Sequence, residues 1–118
     1  MFKALLVAAV AAALIAVPAY AKSSAVTLKG ETGPGFEIDV EKGGKDLKTI
    51  KAGTYKIKVE DKSSIHNFHL FGPGLNKKTS VSFMGETTWK IRLKPGKYTY
   101  QCDIHASEGM KGSFRVRK

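Results

Sequence analysis

Residues 89 to 102 read Trp89-Lys90-Ile91-Arg92-Leu93-Lys94-Pro95-Gly96-Lys97-Tyr98-Thr99-Tyr100-Gln101-Cys102. Large apolar side chains alternate with charged or polar ones on both sides of a Pro-Gly break. That period of two is the signature of two strands meeting at a turn, each with one face buried. The same alternation recurs upstream, in Phe36-Glu37-Ile38-Asp39-Val40 and in Tyr55-Lys56-Ile57-Lys58-Val59. Ile65 to Phe71 is a further β-prone run, stopped by Gly72-Pro73-Gly74, and Thr79 to Phe83 follows it. Ser113 to Val116 places Phe114 and Val116 on one face. Seven to eight short strands separated by turn signals predict an all-β chain, an antiparallel β-sandwich with one face of each sheet turned inward. Phe36, Phe68, Trp89 and Phe114 are expected in its core, with Met84 as filler. Gly30 to Gly35 reads as a loose turn, and Leu47 and Ile50, three apart in Lys42 to Lys51, read as a short helix.

The chain has 118 residues, enough for one domain. Its beginning is expected to be an address rather than structure. Met1-Phe2-Lys3 is a short positive start, Ala4 to Val17 is 14 residues without a polar side chain, and Ala19-Tyr20-Ala21 closes the segment. This is the pattern of a secretory signal peptide cleaved after Ala21, and it is short for the ~20 residues that a membrane span requires. The expected organisation is therefore a leader over 1–21 and a single mature domain over 22–118, periplasmic or secreted, with no stable membrane insertion after cleavage. A single Cys excludes an intramolecular disulfide and a structural zinc site built on several thiolates. In an oxidising compartment that free thiol has to be buried, reactive or bound to something.

The chemistry is concentrated in Cys102-Asp103-Ile104-His105-Ala106-Ser107-Glu108-Gly109-Met110, where Cys, His and Met follow one another as C-x2-H-x4-M. Thiolate, imidazole and thioether are the donors that copper favours; hard cations take carboxylates instead. A second imidazole would complete a trigonal set of two His and one Cys with a weak axial Met. Ile65-His66-Asn67-Phe68-His69-Leu70 offers two. On a strand His66 shares a face with Phe68 and Leu70, whereas His69 shares the other with Asn67. His66 is thus expected to point between the sheets with Cys102, and His69 to point away. The expected metal ligands are His66, Cys102, His105 and Met110. Asn67 is expected to tie the His66 segment to the Cys loop by a hydrogen bond, and Gly109 and Gly112 to let the backbone turn around Met110.

These residues carry a resemblance. Ser64-Ile65-His66-Asn67, together with Gly96-Lys97-Tyr98-Thr99-Tyr100-Gln101-Cys102-Asp103-Ile104-His105 and the following Glu108-Gly109-Met110 and Gly112, is similar to the small blue copper proteins of the plastocyanin and pseudoazurin group of cupredoxins. The resemblance extends over most of the mature chain. It implies a Greek-key β-sandwich holding one copper ion, Cu(II)/Cu(I), of type 1, and one-electron transfer between larger redox proteins as the function. Ile104 and Ala106 stand where many relatives have Pro in or just after the C-x2-H segment. The resemblance also implies an apolar patch beside His105, for which Ile104, Ala106 and the Phe71-Gly72-Pro73-Gly74 loop are the candidates.

With all four positions around the ion filled by protein, no place is left for a substrate, and no paired carboxylates, Ser/His/Asp pattern or phosphate-binding loop is found. The expectation is a carrier and not an enzyme. Storage or delivery of copper is the alternative, disfavoured because the chain holds only 3 Met and 3 His rather than an open Met- or His-rich site. The formal charge of +10 comes from 17 Lys and 3 Arg against 10 acids. Spread along the chain and mixed with acids, it reads either as a solvated surface that aids solubility or as steering toward an acidic redox partner, a cytochrome or an oxidoreductase, for a protein acting as a monomer. Nucleic acid is not expected of a secreted, Arg-poor chain that lacks a binding motif.

Overall fold

The structure, a computed structural model, describes residues 26–118. The leader expected over 1–21 lies outside the described residues. Ten strands follow one another: β1 (Thr27–Thr32), β2 (Ile38–Lys42), β3 (Lys45–Asp46), β4 (Thr49–Lys51), β5 (Gly53–Asp61), β6 (His69–Gly72), β7 (Leu75–Lys78), β8 (Gly85–Leu93), β9 (Gly96–Gln101) and β10 (Lys111–Arg117). They form two five-stranded sheets, ordered β3-β2-β1-β5-β8 and β4-β10-β9-β6-β7. Among the described residues the only helical piece is a 3-10 turn at Ala106–Glu108.

The sandwich is all-β as expected, but its sheets are mixed. β1 runs parallel to β5, and β10 runs parallel to β4. The other ladders are antiparallel, the longest joining β5 to β8 from Gly53↔Leu93 to Asp61↔Gly85. Ile57, Val59, Ile91 and Leu93 from this ladder meet Leu70, Tyr98, Phe114 and Val116 from the facing sheet in one apolar core. Full burial of such side chains contributes roughly 1.5–3 kcal/mol each against exposure, which is why the alternating segments settle with these faces inward. Phe68 and Phe114 are core residues, and Trp89 packs half-buried against the core under the ammonium of Lys77.

Several local expectations are corrected. Residues 27–32 form β1, and Gly30 lies inside it rather than in a turn. A Cβ on Gly30 would come 2.7 Å from Cζ of Phe68, so the missing side chain is the space that this ring fills. Lys42 to Lys51 is not helical: Gly43 and Gly44, both at positive φ, turn the chain between β2 and β3, and Leu47 and Ile50 are buried from extended backbone. Thr79 to Phe83 is not a strand. Thr79 instead exchanges two bonds with Phe68, its N–H donating to the Phe68 carbonyl (3.0 Å) and its hydroxyl accepting from the Phe68 N–H (2.9 Å). Met84 is 64% exposed and fills nothing. Phe36 is 57% exposed and lies outside the core, because β2 begins only at Ile38.

Two segments bring chemistry to one end of the sandwich. Residues 62–68 leave β5 and return irregularly to β6. Residues 102–110 leave β9 and return to β10, pinned at their ends by the Cys102 N–H donating to the Met110 carbonyl at 3.0 Å. Register puts His69 opposite Gln101 in the β6–β9 ladder, so both segments emerge side by side.

Candidate metal centre

Three donor atoms converge where those segments meet. The Nδ1 atoms of His66 and His105 approach to 3.0 Å, and Sγ of Cys102 lies 3.8 Å from the first and 3.5 Å from the second. A circle through three points so separated has a radius of about 2.0 Å. That is close to the ~2.0–2.3 Å bonds which imidazole nitrogen and thiolate sulfur make to a metal of this size. Two lone-pair nitrogens and a sulfur facing one another across such a space need a cation or shared protons to hold them there. His66 and Cys102 are fully buried and His105 is partly so. The set of two imidazoles and one thiolate fits a single copper ion.

Met110 is buried at the end of the same loop, 1% exposed. Its N–H donates to the His105 carbonyl (3.2 Å), and the His105 N–H donates to the Cys102 carbonyl (3.2 Å). These bonds lock the relative positions of the three loop residues. Gly109 closes the 3-10 turn in the left-handed region, φ +92°, which a side chain would resist. Gly112 has a different role from the one expected. It sits in β10 at ordinary φ, and a Cβ there would come 2.5 Å from Cζ of Tyr100, so it is needed for close approach and not for a turn.

Asn67 connects the two segments. Its Oδ1 accepts from the Asp103 N–H (2.8 Å), and its Nδ2 donates to Asp103 Oδ2 (3.0 Å) and to the Thr79 carbonyl (3.3 Å). Parity on a continuous strand would have turned Asn67 outward with His69. Residues 62–68 are not a strand, and Asn67 is buried (2% exposed). His66 still points inward, since Phe68 and Leu70 anchor the segment in the core. His69 lies outside the donor triangle. Its ring is hydrogen-bonded to Oδ1 of Asp103 (2.7 Å) and to Oδ1 of Asn76 (2.6 Å). Burial pushes the Asp103 carboxyl up, but the hydrogen bonds from Gln101, Asn67 and His69 outweigh it and hold the group at about 2. Asp103 is therefore an anion that fastens the start of the Cys loop to the β6 side.

Phe36 is the residue that pattern reading assigned wrongly. Its ring lies over His105 with centroids 4.3 Å apart and planes tilted by 35°, and it meets the His66 ring edge-on at 5.4 Å. Alternation with Ile38 and Val40 made it look like one more core position. Instead it covers the two histidines from the solvent side, leaving the His105 side chain only 15% exposed. Ile65 and Ile104, the chain neighbours of His66 and His105, are the other large apolar residues exposed beside them (53% and 51%). The Phe71–Gly74 loop does not flank His105. Phe71 pairs with Thr99, and Pro73 lies where a Cβ on Gly96 would come 2.8 Å from it, which puts this loop at the other end of the sandwich.

No protein-family model matches the chain. Solved structures do. The copper protein rusticyanin superposes with a TM-score of 0.60 at 23% identity, covering 80% of this chain and 78% of that one. Rusticyanin from Thiobacillus ferrooxidans at 24% identity gives 0.56 over 81% and 79%. Reduced auracyanin from the photosynthetic bacterium Roseiflexus castenholzii gives 0.55 at 19% identity, over 81% of this chain and all of that one. The chain has the cupredoxin fold. These likenesses do not single out the plastocyanin and pseudoazurin group within it. Within the cupredoxin fold, the His-Cys-His cluster occupies the loops at one end of the sandwich, and each donor is held by backbone bonds or core packing.

Proposed function

We propose that this chain is a type 1 copper electron carrier, monomeric and acting outside the cytoplasm, with His66, Cys102, His105 and Met110 as the copper ligands. The observation that carries the proposal is the triangle of Nδ1, Nδ1 and Sγ atoms, sized for one metal ion and built on a cupredoxin sandwich. Bound copper supplies a one-electron couple between Cu(II) and Cu(I). The protein would supply the frame that holds the ligands in place. Cys102 gives up its thiol proton to become a ligand. The Cys102–Met110 and His105–Met110 backbone bonds keep the loop in one shape, and the Asn67–Asp103 pair keeps the His66 segment against it. With Met110 as the fourth ligand, no coordination position would be left for a substrate, which suits a carrier rather than an enzyme.

An acidic redox partner is supported by where the charge lies. The strands of the second sheet carry Lys51, Lys77, Lys78, Lys97, Lys111, Arg115 and Arg117 with no Asp or Glu among them, and Arg115 stands directly opposite Lys97. Among the described residues, the lysines paired to carboxylates are Lys29, Lys58 and Lys62, all on or beside the first sheet. The unneutralised face would speed encounter with a negative surface.

Titrating the purified 22–118 chain with Cu(II) is expected to give an intense blue thiolate band that saturates at one equivalent, with a reversible voltammetric wave. His69→Ala should keep the band and His66→Ala should lose it. A colourless protein that takes zinc and refuses copper would refute the assignment. Electron exchange with an acidic redox protein should slow steeply as added salt shortens the Debye length below about 10 Å; rates flat in salt would remove the acidic partner from the proposal.

A further inference from the structure

Two buried polar atoms near the metal centre have no partner: Nε2 of His66 and Oδ2 of Asp61. Both side chains are almost completely enclosed, at 0% and 2% exposure. Such atoms in a native fold call for an explanation, and here the two are complementary, since one is a ring N–H and the other a carboxylate oxygen. If His66 offers Nδ1 to the metal, its remaining proton has to sit on Nε2. Metal binding thus forces an N–H donor into a buried position that shows no acceptor.

Asp61 is the last residue of β5, and its parity with Ile57 and Val59 turns it between the sheets at the end where His66 lies. Gly33 marks the corner that they share. A Cβ on Gly33 would come 3.1 Å from Cδ2 of His66, the ring atom bonded to Nε2, and 3.2 Å from Cβ of Ser63. The Ser63 N–H in turn donates to Oδ1 of Asp61 at 3.0 Å. One carboxylate oxygen is thereby fixed by the backbone, and the other is left without a partner at the corner where Gly33, Ser63 and the His66 ring meet. Burial raises the Asp61 carboxyl, and the Ser63 hydrogen bond pulls it down.

We propose that Asp61 is the positioning residue for His66, its Oδ2 being the acceptor for the Nε2–H and so orienting Nδ1 toward Cys102 and His105. A carboxylate behind a ligating imidazole fixes its tautomer and raises its basicity, and loss of such a partner typically weakens metal binding 10- to 100-fold. The inference rests on the reading of His66 as a copper ligand.

The test is nitrogen–proton NMR of the His66 ring in the Cu(I)-loaded protein, which is diamagnetic. The Nε2–H should appear as a discrete signal that exchanges with water at least tenfold more slowly than a free imidazole N–H. Asp61→Asn keeps an oxygen for Ser63 but turns an NH2 donor toward the ring. It should move that signal, speed its exchange, weaken copper binding 10- to 100-fold and raise the reduction potential, because a negative charge near the ion is gone. Asp39→Asn, the control on β2, should leave the signal in place. Rapid exchange in the unaltered protein overturns the inference without any variant, as does an Asp61→Asn protein with an unmoved signal and an unchanged potential. A chain that binds no copper at all refutes instead the ligand assignment on which the inference stands.

Discussion

Cys102→Ala is expected to remove the blue band and the voltammetric wave completely while leaving the sandwich folded. The thiolate is the only sulfur anion that the chain can offer, and it is the donor whose charge transfer to Cu(II) makes the colour. The fold does not depend on it to the same degree. Cys102 is fully buried but small, and trimming it to Ala costs about 1 kcal/mol of transfer and cavity energy. In a domain of this size that is roughly 4–8 °C in the melting midpoint of the metal-free protein. The contrast appears when copper is added. A ligand that binds only the folded state stabilises it by about 4.1 kcal/mol at a thousandfold excess over its Kd. The unaltered protein should gain that increment on loading, and Cys102→Ala should gain little of it. Calorimetry with and without copper, beside the optical spectrum, checks both parts. A variant that stays blue would place the thiolate outside the centre.

The cluster of His66, Cys102 and His105 was legible because the chemistry of metal binding restricts residue type more tightly than geometry does. Cys, His and Met within one loop are rare donors, and only the second imidazole needed a geometric argument. That argument assumed a strand through residues 65–71, and the strand begins only at His69. It still selected His66, because Phe68 and Leu70, which follow it closely, are held in the core. The same irregularity is why Asn67 escaped the alternation and is buried with its hydrogen bonds made.

What pattern reading missed are the places where the inward side chain is not apolar. The inward row of β1 is Leu28, Gly30 and Thr32. Gly30 is bare so that Phe68 can approach, and Thr32 donates from its hydroxyl to the Asn67 carbonyl (3.3 Å). Neither registers as a hydrophobic stripe, and the parallel pairing of β1 with β5 has no local turn to announce it. Phe36 fails in the opposite sense. Its spacing from Ile38 and Val40 matched a core face, but Gly33 to Gly35 carries the chain out of the sheet, and the ring closes over His66 and His105 instead. Asp61 continued an alternating strand and drew no attention as a polar residue at an inward position.

Gly72→Ala is expected to be among the most destabilising small substitutions in the chain. The φ of Gly72 is ordinary, so the cost is not backbone strain but space. A Cβ there would lie 2.5 Å from Cδ1 and 2.7 Å from Cγ of Tyr98, and 2.9 Å from the Lys97 carbonyl oxygen. None of these can yield easily. Tyr98 is fully buried, and its ring stacks on Phe114 at 5.6 Å. Its hydroxyl donates to the Pro73 carbonyl (2.7 Å) and accepts from the Lys94 N–H (2.9 Å), so both ends of the ring are held. The Lys97 carbonyl belongs to β9, which is paired on both sides, to β6 and to β10. Overpacking at a rigid site costs typically 1–3 kcal/mol, and the upper end of that range applies here. The melting midpoint should fall by roughly 10–20 °C. The consequence extends to the metal centre, because β6 and β9 are the two strands that deliver the His66 and Cys102 segments to one another. Copper should still bind to the folded fraction with the same blue band, yet the loaded protein should unfold at a lower denaturant concentration. A Gly72→Ala protein as stable as the parent would mean that Tyr98 is free to move, and that its paired hydroxyl and stacked ring do not fix the β6–β9 spacing.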